Sequence, residues 1–368
     1  MSASPKSVII SSGDLHNVGD LALLLQCAYG VRRSLGVKDV KVRQWAAPAA
    51  EVQTQLGLHA ISVLDGKAPL DWARAGRGSL VMIGGGQMVR DNTSLPGLVS
   101  LAALMEWARL TGGRSAILGC GVDELRSASR RQVWRRIFQG ASLVTVRDEG
   151  SKTAVEALAG KRAAPVLTAD LAFTPSPLHD DLRRVGGEPS IIIAPCADAS
   201  ERRGVVIEPL CRLAIQACDV LGVQHIALLA HDARPGMDAE VCDQIAAALT
   251  AARPDLRITI TASHTLADYT RLYASAALVL TNRLHAVIFS LIAGRPIVIL
   301  DDGTPKLRAA AETFSIPLTP VETCALDPTA LWRVAADSQP AQALAVQRAK
   351  SRALDNFDLL AASLVVRR

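Results

Sequence analysis

The sequence has 368 residues, of which 49% are hydrophobic and 20% charged. This composition suits two folded domains of roughly 150 residues each and excludes a disordered chain. Forty Lys and Arg against 35 Asp and Glu give a net charge of only +5, and there are five Phe and three Tyr, which argues against nucleic acid as a partner. The seven cysteines are odd in number and form no C-x-x-C pair, so we expect neither a disulfide framework nor a thiolate zinc site.

The sequence carries no targeting or membrane-spanning signal. The first apolar stretch, Val8–Ile10, is too short for the core of a signal peptide, and no stretch approaches the roughly 18 to 20 apolar residues of a membrane span. We therefore expect a cytoplasmic protein that is able to work at the inner face of a membrane. One basic segment is open to two interpretations, a surface that rests on anionic lipid and a solvated helix face over a packed underside. Its basic residues are Arg130, Arg131, Arg135 and Arg136.

In chain order, short β-branched runs alternate with longer segments whose apolar residues recur every three or four positions. The predicted strands of the first half are Ser7–Ser11, Val40–Gln44, Ile61–Leu64, Leu80–Ile83, Ser115–Leu118 and Leu143–Val146. Those of the second half are Ser190–Ala194, His225–Ala230, Arg257–Thr261, Leu278–Thr281 and Pro296–Leu300. Near-continuous apolar strands between helices indicate parallel sheets covered on both faces. We predict two doubly wound, Rossmann-like α/β domains that face a cleft.

A domain boundary is predicted at residues 174–190, where three prolines and two glycines stand among charges. This gives an N-terminal domain over 1–178 and a C-terminal domain over 188–325. Two helices, Pro328–Asp337 and Pro340–Leu364, are predicted in residues 326–368 and are expected to pack back towards the N-terminal domain. Ligands of doubly wound sheets bind outside the carboxyl ends of the strands, so the residues after each strand are the candidates for a site.

Two strand ends of the first half are rich in glycine. After the first strand, Asp14, Asn17, Gly19 and Asp20 lead into a helix whose free N–H groups favour an anion, although Asp20 is also a natural helix cap. After the fourth strand come three glycines and an amide, Gly84, Gly85, Gly86 and Gln87. They indicate either a close approach of the backbone to a ligand or a tight crossing of a helix over the sheet.

Charged residues follow two further strands. Arg147 and Asp148 follow the sixth strand. Either the guanidinium of Arg147 binds a phosphate or carboxylate with two parallel hydrogen bonds, or the two residues form an ion pair at the start of a helix. Asn282, Arg283 and His285 follow the strand Leu278–Thr281. If the chain is still extended there, Arg283 and His285 face the same side, and a permanent cation beside an imidazole suits an anionic substrate that needs proton transfer. Weaker candidates at other strand ends are His231, which could also be a solvated loop residue, and Asp301, Asp302 and Lys306.

Five of these elements, in this order, resemble the polysaccharide pyruvyl transferase family over about Val8 to Pro317. They are Asn17–Asp20, Gly84–Gly86, Val146–Glu149, Arg283–Ala286 and Gly294–Pro296. The resemblance implies a fold like that of the GT-B glycosyltransferases, with two Rossmann domains. It also implies transfer of a pyruvyl group from phosphoenolpyruvate to two hydroxyls of a sugar, which makes a cyclic ketal. The sequence departs from the family pattern at Leu300–Asp302, where many relatives carry an aromatic residue before the Asp.

The resemblance implies roles in donor binding and catalysis for Arg283, His285 and Arg147. Our hypothesis is that His285 transfers the proton and both arginines hold phosphoenolpyruvate, with a free or lipid-linked saccharide as acceptor and with neither metal nor organic cofactor. One alternative is a nucleotide-sugar glycosyltransferase of the same architecture, which the absence of an acidic residue from Ala286–Ala293 disfavours. Another is a non-catalytic sugar- or anion-binding protein in envelope polysaccharide assembly.

Overall fold

The first sheet is assembled from short runs of buried aliphatic residues. A computed structural model describes residues 5–184, 186–197, 206–320 and 327–365. Its first seven strands are β1 (Ser7–Ser11), β2 (Asp39–Gln44), β3 (Ile61–Asp65), β4 (Leu80–Gly84), β5 (Arg114–Cys120), β6 (Leu143–Val146) and β7 (Val166–Leu167). They pair in parallel in the order β3-β2-β1-β4-β5-β6-β7. The strand order reverses between β1 and β4, where doubly wound sheets place a ligand crevice.

The second sheet repeats this plan with six strands. They are β8 (Ser190–Ala194), β9 (His225–Leu229), β10 (Arg257–Thr261), β11 (Ala276–Thr281), β12 (Ile297–Asp301) and β13 (Leu318–Pro320). All pair in parallel, in the order β10-β9-β8-β11-β12-β13. The order reverses between β8 and β11. The predicted fold class, two doubly wound Rossmann-like α/β domains, is confirmed.

Helices connect the parallel strands, as such crossovers require. In the first part of the chain they are α1 (Val18–Leu35), α2 (Ala50–Leu58), α3 (Pro69–Gly76), α4 (Leu95–Leu110), α5 (Ala128–Gly140), α6 (Glu149–Ala159) and α7 (Pro177–Arg183). In the second part they are α8 (Ile207–Leu221), α9 (Asp238–Ala252), α10 (Leu266–Ser275), α11 (Leu284–Ala293), α12 (Pro305–Phe314), α13 (Pro328–Asp337) and α14 (Gln339–Val365). Among the described residues, no helix is long and apolar enough to cross a membrane.

Two short strands lack a sequence signal. β7 has two residues and β13 has three, and both lie at an edge of their sheet with at least one exposed residue. The other eleven strands were predicted from short β-branched runs, and a partly exposed edge strand of two or three residues is too short to show such a run. Asp170 follows β7, and its carboxylate lies 3.0 Å from Arg147 Nη1.

The chain divides into two compact units. The first comprises the chain up to Leu15, Asp20–Thr174 and the residues from Ala349 onward, and the second comprises His16–Gly19 and Pro175–Arg348. In the second unit, the short segment His16–Gly19 is held by a hydrogen bond from Val18 N to His231 O at 2.9 Å. Residues of the loop before α1 therefore contribute to the surroundings of the second sheet.

The cores of both units bury their cysteines as ordinary apolar side chains. Cys27, Cys120, Cys211, Cys218 and Cys242 are free and buried, and Cys196 is partly buried. Burial raises the pKa of the Cys27 thiol to about 12, so this side chain stays a thiol at neutral pH. Cys324 lies outside the described residues.

Candidate active site

The strand ends of the second sheet meet at Asn282, directly after β11. The Asn282 side chain is buried, and its Oδ1 accepts a hydrogen bond from Cys196 N at 2.7 Å. Its Nδ2 donates to Cys196 O at 3.3 Å and to Asp302 Oδ2 at 3.4 Å. Asn282 therefore ties the loops that follow β8 and β12 to the end of β11. These contacts are those of a residue that shapes the site, whereas the sequence suggested substrate binding.

Arg283 is the N-terminal cap residue of α11 and is buried, with a backbone still in the extended region (φ −113°, ψ 122°). Its Nη2 donates to both carboxylate oxygens of Asp238, at 2.5 Å to Oδ1. The Asp238 side chain is fully buried and also accepts hydrogen bonds from Ala197 N and Asp232 N, each at 2.9 Å. Asp238 thus fixes the guanidinium of Arg283.

The surroundings of Arg283 keep it cationic. Burial acts to lower its pKa, but the acidic groups around it, Cys196, Asp238 and Asp232, outweigh burial and raise the pKa above the usual value. Its Nε is buried and has no hydrogen-bond partner in the described part of the chain. A buried donor of this kind can satisfy its hydrogen bond with a ligand oxygen. The arrangement can therefore bind an anion.

His285 lies in the first turn of α11 and is partly buried. Because the helix begins at Leu284, the chain is not extended from Arg283 to His285, and the condition under which both side chains would face the same side is not met. The imidazole instead packs against Gly19: a Cβ at Gly19 would lie 2.1 Å from His285 Nδ1 and 2.4 Å from its Cγ. On the next turn of α11, the Phe289 ring lies 6.5 Å from the imidazole, centroid to centroid.

His231, after β9, is fully buried, so its interpretation as a solvated loop residue is wrong. Its Nε2 is hydrogen-bonded to Tyr273 Oη at 2.8 Å, and its ring stacks on Phe289 at 5.8 Å. Burial lowers the pKa of His231 well below the usual value of 6.5, and the charges of Arg283 and His285 act in the same direction. This neutral, buried imidazole packs against Phe289, which in turn packs against His285. It is unsuited to direct contact with a substrate.

Four predicted binding residues lie in the loop before α1 and in the first turn of this helix. Asn17 Oδ1 accepts a hydrogen bond from Gly19 N at 2.9 Å, at the start of the helix. Because α1 begins at Val18, Asp20 lies inside the first turn, and its interpretation as the helix cap is wrong. Asp20 Oδ2 accepts a hydrogen bond from Asp14 N at 3.1 Å, which closes the loop within the first unit. Asp14 itself is partly buried.

The glycines after β4 are required by the packing of the first unit. A Cβ at Gly84 would lie 2.8 Å from Cys27 Sγ and from Ile10 Cγ2, which is the tight helix crossing considered above. Gly85 and Gly86 have φ of 79° and 77°, in the left-handed region that favours glycine. Together they turn the chain so that Gln87 reaches Arg147.

Arg147 is enclosed by polar groups of the first unit. Its Nη1 lies 3.0 Å from Asp170 Oδ2, its Nε lies 3.4 Å from Asp148 Oδ2, and its Nη2 donates to Gln87 Oε1. Only 7% of its side chain is exposed, and burial acts to lower its pKa, but Asp170 and Asp148 outweigh burial and raise it. A Cβ at Gly121 would lie 2.6 Å from Nη2. Arg147 is therefore a permanent cation in an acidic setting.

Other predicted residues lie after β12. Lys306 is in the first turn of α12 and is partly exposed. The carboxylate of Asp301 pairs with Arg308 at 3.0 Å, and Asp302 accepts the hydrogen bond from Asn282 described above. Asp301, the last residue of β12, is thus paired with the helix that follows this strand. In the described ranges, no group of three His, Cys, Asp or Glu residues has the arrangement of a metal site.

Sequence reasoning missed Asp170, Asp238 and Gly121. Asp170 follows the unpredicted strand β7, and Asp238 stands 45 residues before the arginine that it holds. Gly121 directly follows β5, and this position at a strand end was the signal that could have identified it.

A family model described as polysaccharide pyruvyl transferase matches residues 17–303. No curated protein matches the chain.

Several solved structures of low sequence identity share the fold. A glycosyltransferase from Rickettsia africae has 11% identity and a TM-score of 0.62, with 98% of this chain and 99% of that chain covered. The Anabaena protein HepE in complex with UDP and glucose has 16% identity and a TM-score of 0.59, with 98% and 99% covered. The UDP-GlcNAc 2-epimerase from Methanocaldococcus jannaschii has 9% identity and a TM-score of 0.61, with 97% and 99% covered. At these identities the likeness concerns the fold alone.

Proposed function

The chain belongs to the polysaccharide pyruvyl transferase family, and on that premise we propose that it transfers a pyruvyl group from phosphoenolpyruvate to two hydroxyls of a saccharide, forming a cyclic ketal. The main support is the corner between β11 and α11. There a buried arginine cation, held by Asp238 and with no partner for its Nε among the described residues, stands two residues before His285. This pairing of an anion-binding donor with an imidazole is what a transfer from an anionic enol phosphate requires.

Donor binding rests first on Arg283. Phosphoenolpyruvate carries a phosphate and a carboxylate, and an oxygen of either would accept the hydrogen bond from Arg283 Nε. Asp238 accepts a hydrogen bond from Arg283 Nη2 and keeps the guanidinium in one orientation, so the ligand would bind to a cation that is already oriented. In this proposal Arg147 binds the donor only when an anionic group replaces Gln87 at its Nη2, since its guanidinium is otherwise occupied.

The proposed reaction balances as an addition and then a substitution at one carbon. The first sugar hydroxyl adds to C2 of phosphoenolpyruvate and gives up its proton to a base, while C3 takes up a proton from an acid and becomes the methyl group. The C2–O bond to phosphate then breaks, and the second hydroxyl attacks C2 and loses its proton, which leaves with the phosphate or to solvent. We propose that His285 delivers the proton to C3 and receives one from a hydroxyl. The chemistry calls for neither a metal nor an organic cofactor.

A nucleotide-sugar glycosyltransferase is the competing function, because the similar HepE structures contain UDP with glucose or UDP-glucose. Such enzymes often carry an acidic pair in the loop and helix before a G-x-P element, and α11 is the corresponding helix here. Here α11 reads LHAVIFSLIA and carries no acidic residue. This favours the pyruvyl transfer, and ligand binding separates the two.

The test measures thermal unfolding with phosphoenolpyruvate, UDP or UDP-glucose, and phosphate release with a panel of saccharides. Ligand at a hundred times its Kd adds about 2.7 kcal/mol to the free energy of unfolding, which shifts the midpoint by a few degrees. We expect a shift with phosphoenolpyruvate that Arg283→Lys loses, because a lysine lacks the fork. The matched control, Arg271→Lys, changes an arginine with 71% side-chain exposure and should keep the shift.

Phosphate release dependent on a saccharide, with a new methyl ketal signal in the product, would support the reaction, and His285→Ala should abolish it. A shift with UDP or UDP-glucose alone would instead favour the glycosyltransferase. Stabilisation by phosphoenolpyruvate without turnover of any saccharide would favour the non-catalytic binding protein.

A further inference from the structure

A surface of the first unit, away from the residues discussed so far, combines an apolar groove with concentrated positive charge. The groove lies between α4 and α5 and has a volume of about 400 Å³. Val99, Ala102 and Met105 of α4 and Val133 and Ile137 of α5 provide its apolar lining. We refer to this groove, with the exposed faces of both helices, as the α4–α5 surface.

The basic side of this surface is α5. The helix carries four arginines and no acidic residue, and its Trp134, Ile137 and Phe138 are buried beneath. Arg131, Arg135 and Arg136 are exposed on the opposite face. None of these three forms an ion pair with a described carboxylate, whereas the charge of Arg130 helps to lower the pKa of Asp91. The charge of the three exposed arginines is therefore available to an external partner.

The apolar side is α4. Val99 is 49% exposed and Leu110 is 74% exposed, and both lie on one face of the helix together with Ala103 and Glu106. Glu106 is the acidic group of the groove, and it pairs with Arg109 at 2.8 Å. Large exposed apolar side chains beside a helix face with three exposed arginines and no acidic residue give the pattern of a surface that lies on a membrane.

We propose that the α4–α5 surface binds an anionic membrane. Val99 and Leu110 would contact the acyl boundary, and Arg131, Arg135 and Arg136 would contact lipid phosphates. A second copy of the chain is a poorer occupant, because a two-fold interface here would bring the arginine face of α5 towards its own copy. This proposal does not depend on the proposed reaction.

The expected strength follows from charge. Each basic residue near an anionic membrane strengthens binding by about five-fold, and the effect weakens as salt is raised. Two arginines should therefore contribute about twenty-five-fold. Arg131→Gln with Arg136→Gln is the variant of choice, since Arg135 Nε also donates to Leu158 O at 2.9 Å and has a role in packing.

The experiment is sedimentation of the full chain with vesicles of phosphatidylcholine alone or with a third of phosphatidylglycerol. We expect binding to the anionic vesicles only, weakened by salt and reduced about twenty-five-fold in the double variant. The control, Arg333→Gln with Arg348→Gln, removes the same charge from exposed positions of the second unit and should bind like wild type. Val99→Asn, which removes the apolar side chain without a change of charge, should also weaken binding, and this separates lipid contact from charge alone.

Three outcomes would overturn the proposal. These are the absence of binding to anionic vesicles, an equal loss in the control variant, and a dimer in solution that the Arg131→Gln, Arg136→Gln variant dissociates. Preferential binding of RNA, competing with the vesicles at equal ionic strength, would also assign the arginines to another partner. Equal thermal midpoints of all variants would exclude misfolding as the cause of any loss.

Discussion

The contact between Gly19 and His285 gives the sharpest test of the site. Gly19 is the second residue of α1, and its φ is not in the left-handed region, so alanine suits the backbone there. In a helix without a steric conflict, Gly→Ala stabilises by about 0.5–1 kcal/mol. Any loss of stability in Gly19→Ala must therefore come from the new methyl group and the imidazole that it meets.

The magnitude follows from the geometry. The methyl group would lie 2.1 Å from His285 Nδ1, 2.4 Å from Cγ and 2.8 Å from Cβ, whereas ordinary contact begins at 3.4 Å. The ring must retreat by about 1.3 Å, and its Cβ is fixed to α11, so rotation of the side chain alone does not relieve the clash. We expect destabilisation by about 1–3 kcal/mol. Since a misplacement of about 1 Å can cost about a hundred-fold in rate, we expect a comparable loss of saccharide-dependent phosphate release.

The assay is a double-mutant cycle with His285→Ala, measured by denaturant unfolding. The control is Gly57→Ala in α2, where a methyl group would have nothing within 4 Å and should stabilise the protein. In the His285→Ala background, Gly19→Ala should cause little loss of stability, because the imidazole that the new methyl group would meet is absent. An undiminished penalty in that background, or a Gly19→Ala protein with wild-type stability and turnover, would refute the contact.

Three further predictions concern buried polar groups. Asp238→Asn leaves a buried guanidinium without its counter-charge, so the free energy of unfolding should fall by about 3 kcal/mol and the stabilisation by phosphoenolpyruvate should be lost. The control is the exposed neighbour Asp243, whose change to Asn should alter the free energy of unfolding by less than about 0.5 kcal/mol. His231 has a folded-state pKa below 6.5, so the unfolded chain binds its proton first, and the free energy of unfolding should fall as pH drops below 6.5, by up to about 1.4 kcal/mol per pH unit from this residue. His231→Gln should remove that part of the slope in urea titrations at pH 5.5 and 7.5, and an unchanged slope would contradict the assigned burial. Asn356 accepts a hydrogen bond from Thr168 Oγ1 at 2.8 Å and donates to Ala169 O at 3.2 Å, so Asn356→Leu should destabilise by about 1–3 kcal/mol in the same titrations, with the exposed Ser351→Ala of α14 as a near-neutral control.

The sequence was most informative where one local pattern determines one element. The buried runs that became β1 and β8 could be read directly, because parallel strands covered on both faces need continuous apolar residues. The same logic placed Arg283 and Arg147 next to strand ends. The sequence did not predict where the helix after β11 begins. The cap and the first helical residue are adjacent in the chain, and the spacing of apolar residues does not distinguish one from the other.

Partners distant in sequence could be found only in the tertiary structure. Asp238 for Arg283, Asp170 for Arg147 and the packing of Gly19 on His285 each join separate loops, and no spacing rule links them. The sequence by itself determined the alternation of strands and helices, the family and the residue types at the strand ends. The tertiary structure decided which charges are neutralised, which imidazole is enclosed and which remains partly open, because burial and pairing depend on the meeting of chain segments far apart in sequence.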